Sequence, residues 1–296
     1  MNTILLYYKY ADIADPEKLA SEQRELCARF NFKSRIIVAK EGINGTLEGK
    51  TADTEEYIRI MRADPRFADM HFKKSEGTPA GDAFHRASVK VRKEIVSAHL
   101  DDNDPKTGDV NPTRVTGKRL TPEELHRWYE EGREFTIVDM RNDYEHVVGH
   151  FRGSILPKLS NFRDLPQVTE RELVPAGLKQ KTVLTVCTGG VRCEKASGYL
   201  VKRGFEDVYQ LDGGIVSYME KYPGKDFLGS LYVFDERKTM HFTPADKHQI
   251  IGKCEQCKGL SERYVNCANL SCHAHIIVCQ ACAPAEAEAF CAKCKK

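Results

Sequence analysis

Eight of the eleven cysteines in this 296-residue chain fall between Cys254 and Cys294, and another ends an apolar run in Thr182-Val-Leu-Thr-Val-Cys187-Thr-Gly-Gly-Val-Arg192-Cys193. The second arrangement is the one suited to covalent chemistry. A buried strand delivers Cys187, Gly189 and Gly190 permit a tight loop, and a helix starting just beyond Arg192 turns its N-terminus and the guanidinium toward one centre. Thr188, Gly189, Gly190, Val191 and Arg192 then form an anion cradle around the thiol. A thiolate placed there has a lowered pKa, and a persulfide sulfur or an incoming anionic donor is held by the same groups. A small buried hydrophobe closing a strand is the competing reading; it explains a cysteine, but not the glycine pair, arginine and helix together. Cys193 is either a resolving thiol that closes on Cys187 or a buried helix residue.

The other eight form four pairs in about forty residues: Cys254 and Cys257, Cys267 and Cys272, Cys279 and Cys282, Cys291 and Cys294. Closely spaced thiolates grip one tetrahedral zinc ion, and eight ligands suit two closed structural sites of four each. The first and third pairs can share one ion and the second and fourth the other, with His273 or His275 as substitutes for a cysteine. Reduced thiols or disulfides without metal are the alternative. Bound metal would supply folding energy that so small an apolar core lacks.

Composition sets the frame for both. With 41% hydrophobic and 30% charged residues, the chain can bury two domains and a small third, and its charge of +2 neither demands nor excludes nucleic acid. It has no apolar run of the roughly 20 residues a membrane helix needs. The start, Met1 to Lys9, lacks a basic region and a cleavage site, so it reads as a strand and the expected address is cytoplasmic.

The elements that must position these residues follow from periodicity. Ile4–Tyr8, a helix opened by Asp15-Pro16, Arg35–Ala39, a tight turn at Gly42 and Asn44-Gly45, a helix capped by Asp53, and strands near 70–74 and 88–96 give a ferredoxin-like (acylphosphatase-like) domain over 1–100. Residues 101–117, rich in turn formers, read as a linker. Over 118–225, strands at 135–139 and 183–186 alternate with helices at Thr121-Pro and 194–203, which implies a parallel sheet covered on both faces. Residues 226–296 form the cysteine-rich tail. The fold class is thus α/β and α+β multidomain.

Asp139-Met-Arg141, Glu145, Gly149-His-Phe-Arg-Gly-Ser-Ile155, the 187–192 loop and Leu211-Asp-Gly-Gly-Ile215 together resemble a rhodanese domain. The resemblance implies that Cys187 is the catalytic position, and a loop of six residues matches sulfur handling rather than the longer loop of the related phosphatases. Asp139 and Arg141 would be a structural pair near the loop or an ordinary surface ion pair. Adding Glu41-Gly-Ile-Asn-Gly-Thr46, Lys90-Val-Arg-Lys-Glu-Ile95, Cys187 to Lys195 and the tail, the whole chain resembles the rhodanese-domain tRNA uridine hydroxylases, Val191 being a conservative departure. That resemblance implies 5-hydroxyuridine formation at the wobble position of tRNA, with molecular oxygen as cosubstrate. The residues alone do not reach the hydroxylation: no G-x-G-x-x-G indicates a nucleotide cofactor, and His146 and His150 read as structural rather than iron ligands.

Lys90, Arg92 and Lys93, then Arg114, Lys118 and Arg119, and finally Lys293, Lys295 and Lys296 are clusters that could meet tRNA phosphates, though a charge run is usually a solvated face. A sulfurtransferase passing sulfur from Cys187 is the alternative activity, and a thiol redox sensor with a zinc-bearing interaction module is the non-enzymatic one.

Overall fold

The computed structural model describes residues 1–100, 108, 110–272, 274–285 and 289–294. The first domain runs β1 (Asn2–Tyr10), α1 (Pro16–Arg29), β2 (Lys33–Ala39), β3 (Gly42–Lys50), α2 (Thr51–Ala63), β4 (Phe72–Glu76) and β5 (Ala87–Val91). Its sheet has the order β4-β1-β3-β2-β5, antiparallel except that β5 runs parallel to β2. This is the expected split βαβ sandwich with one added edge strand. The strands alternate cleanly: Leu5, Tyr7, Ile36, Val38, Ile43 and Leu47 are buried beneath the two helices. The opposite face, with Ile4, Leu6, Tyr8, Ile37, Asn44 and Lys73, looks toward the second domain.

Three local expectations change. Asn44-Gly45 is not a turn but lies inside β3, opposite Tyr8 and Tyr7. A Cβ on Gly45 would stand 2.5 Å from the Tyr7 ring, so this glycine serves a close approach rather than a reversal. The actual turn is at Lys40-Glu41, released by Gly42, whose φ of 145° and missing Cβ let it pass the Lys9 carbonyl. α2 starts at Thr51, so Asp53 sits in its first turn instead of capping it. β5 ends at Val91, and the chain beyond it crosses to the second domain.

That domain contains β6 (Lys118–Leu120), α3 (Pro122–Glu130), β7 (Thr136–Asp139), α4 (Asp143–His146), β8 (Gly149–Phe151), α5 (Leu165–Val168), β9 (Thr182–Val186), α6 (Val191–Lys202), β10 (Asp207–Leu211) and α7 (Gly214–Lys221). Four strands form a parallel sheet in the order β6-β10-β9-β7. Val138, Val183 and Val208 pack with α5 and α6 on one side, while Ile137, Leu184 and Leu211 pack with α3 and α7 on the other. Both faces are covered, which is why these strands are continuously apolar. Val110 lies in the α6-side core and Gly117 N–H donates to Ser197 Oγ at 2.8 Å, so residues 110–117 pack on the domain; 101–107 and 109 lie outside the described residues.

Beyond α7, β11 (Phe227–Gly229) pairs with β8, β12 (Leu231–Tyr232) with β13 (Thr239–Met240), and β14 (Tyr264–Asn266) with β15 (His275–Ile277). No helix among the described residues is long and apolar enough to cross a membrane.

Candidate active site and metal centres

β9 ends at Val186 and delivers Cys187 into a loop that closes on α6. The helix begins inside the loop, at Val191 after Gly190 (φ 104°), rather than beyond Arg192. Arg192 and Cys193 therefore occupy its first turn. The loop is also pinned from α7: Ile215 N–H donates to the Cys187 carbonyl at 2.9 Å and Val216 N–H to that of Thr188 at 3.1 Å. Gly214, with φ of 71°, lies so close that a Cβ would come within 2.7 Å of the loop backbone. This close approach accounts for a glycine at the first position of α7.

The Gly190 N–H donates to Cys187 Sγ at 3.2 Å. Burial alone would raise the Cys187 thiol, but the Cys193 thiol, the Arg192 guanidinium and the Cys193 and Gly190 N–H groups outweigh it and bring the pKa down to about 6. Burial and the neighbouring Cys187 push the Cys193 thiol in the opposite direction. The surroundings thus favour the negative charge on Cys187 and the proton on Cys193. Both residues are fully buried beneath the loop and the first domain.

Arg192 is held by Glu145, through contacts of 2.5 and 2.8 Å, and Glu145 also accepts from the Thr188 hydroxyl at 3.4 Å. Glu145 and the guanidinium are both buried, so the pair is a fixed part of the cradle. Removing the carboxylate would strand a buried cation. Glu145→Gln is expected to lower stability by about 3 kcal/mol, read as a fall in the thermal midpoint; an unchanged midpoint would mean that solvent compensates Arg192.

Asp139 and Arg141 are not a surface ion pair. Both are fully buried, with Arg141 forked onto Asp139 at 2.6 to 3.1 Å and donating to the Gly149 carbonyl at 2.6 Å. They fasten β7 to β8 behind the loop. His146 ends α4 whereas His150 belongs to β8, so their i, i+4 spacing does not fall on one helix; His150 Nδ1 meets the His146 carbonyl at 2.9 Å.

The first domain covers the loop, a feature the motif does not reveal. Leu6 stands against Gly189, Tyr8 against Gly190, Tyr10 OH donates to the Val191 carbonyl at 3.1 Å, and Tyr8 OH donates to Glu194 at 3.2 Å. Lys195 clamps Glu94 at 2.7 Å and Glu41 at 2.9 Å across the same seam. Between the open sheet face, the loop and the β12–β13 hairpin lies a cavity of about 600 Å³. Its walls include Cys187, Arg192, Lys73, Asn44, Phe162 and Phe234. The sequence signal was present in β1, where Ile4-Leu5-Leu6-Tyr7-Tyr8 is apolar on both faces and so must be covered twice.

Of the cations considered for phosphate contact, Lys90, Arg92, Lys93, Arg114 and Lys293 are exposed. Lys118 and Arg119 are also exposed but engaged: Lys118 pairs with Asp207 at 2.8 Å, and Arg119 with Glu194 at 2.5 Å and Asp212 at 3.1 Å. Lys295 and Lys296 lie outside the described residues. Arg35 and Arg163, which sequence reading passed over, are exposed at the cavity mouth.

In the tail, Cys254, Cys257, Cys279 and Cys282 form one cluster and Cys267, Cys272, Cys291 and Cys294 a second, with the sulfurs of each within 4.8 Å of one another. Alternate pairs are cross-braced as their spacing allowed. Two sulfur separations, 3.7 Å for Cys257–Cys279 and 3.6 Å for Cys272–Cys291, are close to the ~3.8 Å edge of a tetrahedron with 2.3 Å metal–sulfur bonds. The donor set therefore fits a metal ion in each cluster. His275 joins neither; its Nδ1 meets Asn266 Oδ1 at 3.0 Å, and His273 lies outside the described residues. The tail docks on the second domain through Tyr264, whose hydroxyl donates to the Tyr144 carbonyl one residue before Glu145.

Residues 2–95 match the UPF0176 acylphosphatase-like domain, 121–221 the rhodanese-like domain and 228–295 the rhodanase C-terminal region. Fold and loop define a rhodanese-like protein with an added N-terminal roof and a cysteine-rich tail. A Bacillus cytotoxicus protein named tRNA uridine(34) hydroxylase is 45% identical over 93% of this chain and 82% of its own length. One of the same name from Staphylococcus carnosus is 44% identical over 98% and 92%. The chain belongs to the tRNA uridine(34) hydroxylase family. Among solved structures, a rhodanese-like domain from Anabaena sp. is 22% identical over 38% of this chain and 80% of that one, with a TM-score of 0.33.

Proposed function

We propose that this protein hydroxylates C5 of the wobble uridine of tRNA, with molecular oxygen as cosubstrate and Cys187 as the reactive thiol. The observation that carries this reading is the near-full-length identity to relatives of that name. The site chemistry is compatible with it. A base in a single-stranded loop is free to leave its stack, and a cavity of about 600 Å³ is of a size that takes small organic ligands. Phe234, 39% exposed on its wall, is suited to stack on a base. The Cys187 thiolate then adds to C6 of the uracil, making C5 electron-rich toward oxygen. One oxygen atom enters the product and the other leaves as water, which requires two electrons and two protons. Cys193, close to Cys187, is proposed to cleave the O–O bond of the C5 hydroperoxide, leaving a C5 hydroxyl and a Cys193 sulfenic acid. Loss of the C5 proton then breaks the S–C6 bond, restoring C5=C6 and freeing Cys187, whose thiol closes on Cys193 with release of water, so that the two cysteines together supply both electrons and both protons. No nucleotide cofactor is invoked.

Zinc is the proposed ion in both cysteine clusters, bound by the four named thiolates in each and acting structurally, because four protein ligands close a tetrahedral site. The proposed compartment is the cytoplasm, where tRNA and reduced thiols coexist.

Phosphate contact is assigned to Lys90, Arg92 and Lys93 and to the rim residues Arg35 and Arg163. tRNA affinity is expected to fall with rising salt, and Lys90, Arg92 and Lys93 changed together to alanine should flatten the slope of log K against log salt by about 2. An unchanged slope in a filter-binding titration would remove these three from the interface.

The activity is tested by supplying purified protein, tRNA and a dithiol reductant with ¹⁸O₂ and analysing nucleosides by mass spectrometry. Labelled 5-hydroxyuridine is the expected product. Thiosulfate:cyanide turnover with no hydroxylated nucleoside would instead assign sulfur transfer.

A further inference from the structure

Lys73 is a buried lysine that the loop motif does not require. It lies on β4 opposite Leu6 of β1, the residue that contacts Gly189 of the loop, and only 8% of its surface is exposed. Its Nζ forms no ion pair or hydrogen bond among the described residues and lies over the Tyr8 ring, 5.6 Å from the centroid. Its Cε stands within 3.7 Å of where a Cβ would fall on Gly213, at the start of the helix that pins the Cys187 carbonyl. Lys73 and Cys187 both line the 600 Å³ cavity.

Most of the Lys73 side chain is buried, yet its ammonium meets no carboxylate and lines the cavity, so no ion pair within the fold accounts for its charge. It is also too enclosed to be a surface phosphate contact. What remains is a cation aimed at a ligand in the cavity. The groups facing it are Cys187 from the loop, Asp212 before α7, Arg119 from β6, Tyr8 from β1 and His71 just ahead of its own strand. Neither Arg119, committed to Glu194 and Asp212, nor Arg192, committed to Glu145, has Lys73's lack of a protein carboxylate.

We propose that Lys73 is a catalytic residue that holds the C4 oxygen of the target uracil when Cys187 adds to C6, an assignment that rests on the uridine-hydroxylase reading. In that step a sulfur lone pair forms the S–C6 bond. The C5=C6 pair moves to C4–C5, and the C4=O4 pair moves onto O4. No group leaves and no electron is exchanged with another reagent. The negative charge developing on O4 meets the Lys73 ammonium, which donates a hydrogen bond and stabilises the enolate; collapse of the enolate toward C5 returns the charge from O4. A preorganised donor of this kind is worth about 100- to 1,000-fold in rate. Burial brings the Lys73 pKa down to about 8, although Cys187 and Asp212 oppose the fall. The donor is therefore charged below about pH 8 and lost above it.

Single-turnover hydroxylation of a tRNA transcript, measured from pH 6 to 10 for the intact protein and for Lys73→Met and Lys73→Arg, tests the assignment. Lys73→Met should lose about 100-fold or more in the maximal rate, with half-saturating tRNA changed less than about threefold and a melting temperature equal to or above that of the parent. Lys73→Arg should recover at least about tenfold of that loss and shift the alkaline fall from near pH 8 to beyond 9. Lys73→Met acting within threefold of the parent overturns the proposal. So does a loss accompanied by a lower melting temperature and no rescue by arginine, which would make Lys73 structural. Absence of 5-hydroxyuridine with the intact protein would instead sink the hydroxylase reading, and the assignment with it.

Discussion

Cys187→Ser is expected to abolish 5-hydroxyuridine formation, with a loss of more than about 1,000-fold, because a serine hydroxyl at this position stays protonated where the thiol is ionised. The loop is built to favour negative charge on sulfur: the Cys193 thiol, Arg192 and two backbone N–H groups together override burial and set the Cys187 pKa near 6. For a group with a depressed pKa, the reactive form is present above that pKa and disappears as pH falls through it. The parent's rate should therefore decline below about pH 6, approaching tenfold per unit. A host lacking its own uridine hydroxylase, complemented with either chain, gives the measurement through mass spectrometry of tRNA nucleosides. Restoration by Cys187→Ser would remove the thiol from the chemistry, persulfide and C6 adduct alike.

Loss of a cluster ligand should have the second-largest effect. Cys279→Ser is expected to reduce bound metal from two ions per chain to one, measured by plasma mass spectrometry, and to expose the segment after Gly252 to proteases. Structural zinc contributes an apparent 10–16 kcal/mol of binding free energy in small peptides, whereas the apolar core here is little more than Val265, Ile276, Val278 and the cysteines themselves. The consequence reaches the active site through packing. Tyr232, Tyr264 and Ile277 pack with Val148 and Tyr144 around the short helix that carries Glu145, and Glu145 holds Arg192. Activity should therefore fall with the metal even though neither cluster touches the cavity. A variant that keeps two ions, or loses one without any change in protease resistance, would contradict a structural role for that cluster.

Much of the architecture was legible because it depends on short-range pattern. The strand–helix order of the first domain and the apolar runs of the parallel sheet are periodic signals, and their strands and helices appear where those signals lie. The Asn44-Gly45 turn was misread because the same dipeptide that suits a hairpin also suits a strand over which a tyrosine ring lies. The start of α6 was placed too late because Gly190, not a polar cap, begins it. In the tail, four cysteine pairs carry their own chemistry, and only the choice among pairings awaited the fold.

By itself, the sequence determined the thiol loop, the cysteine ligand pairs and the family, since each is encoded by residue type at fixed local spacing. Tertiary structure alone decided what surrounds the thiol. Glu145 reaches Arg192 across 47 positions, Tyr8 reaches Glu194 across 186, and Lys73 enters the same cavity from another domain. Such partners leave no local periodicity to read. Glu145 and Arg192 meet through the packing of the second domain, whereas Tyr8 and Lys73 arrive because the sheet of the first domain has a second, largely apolar face to bury, and covering that face places its side chains over the loop.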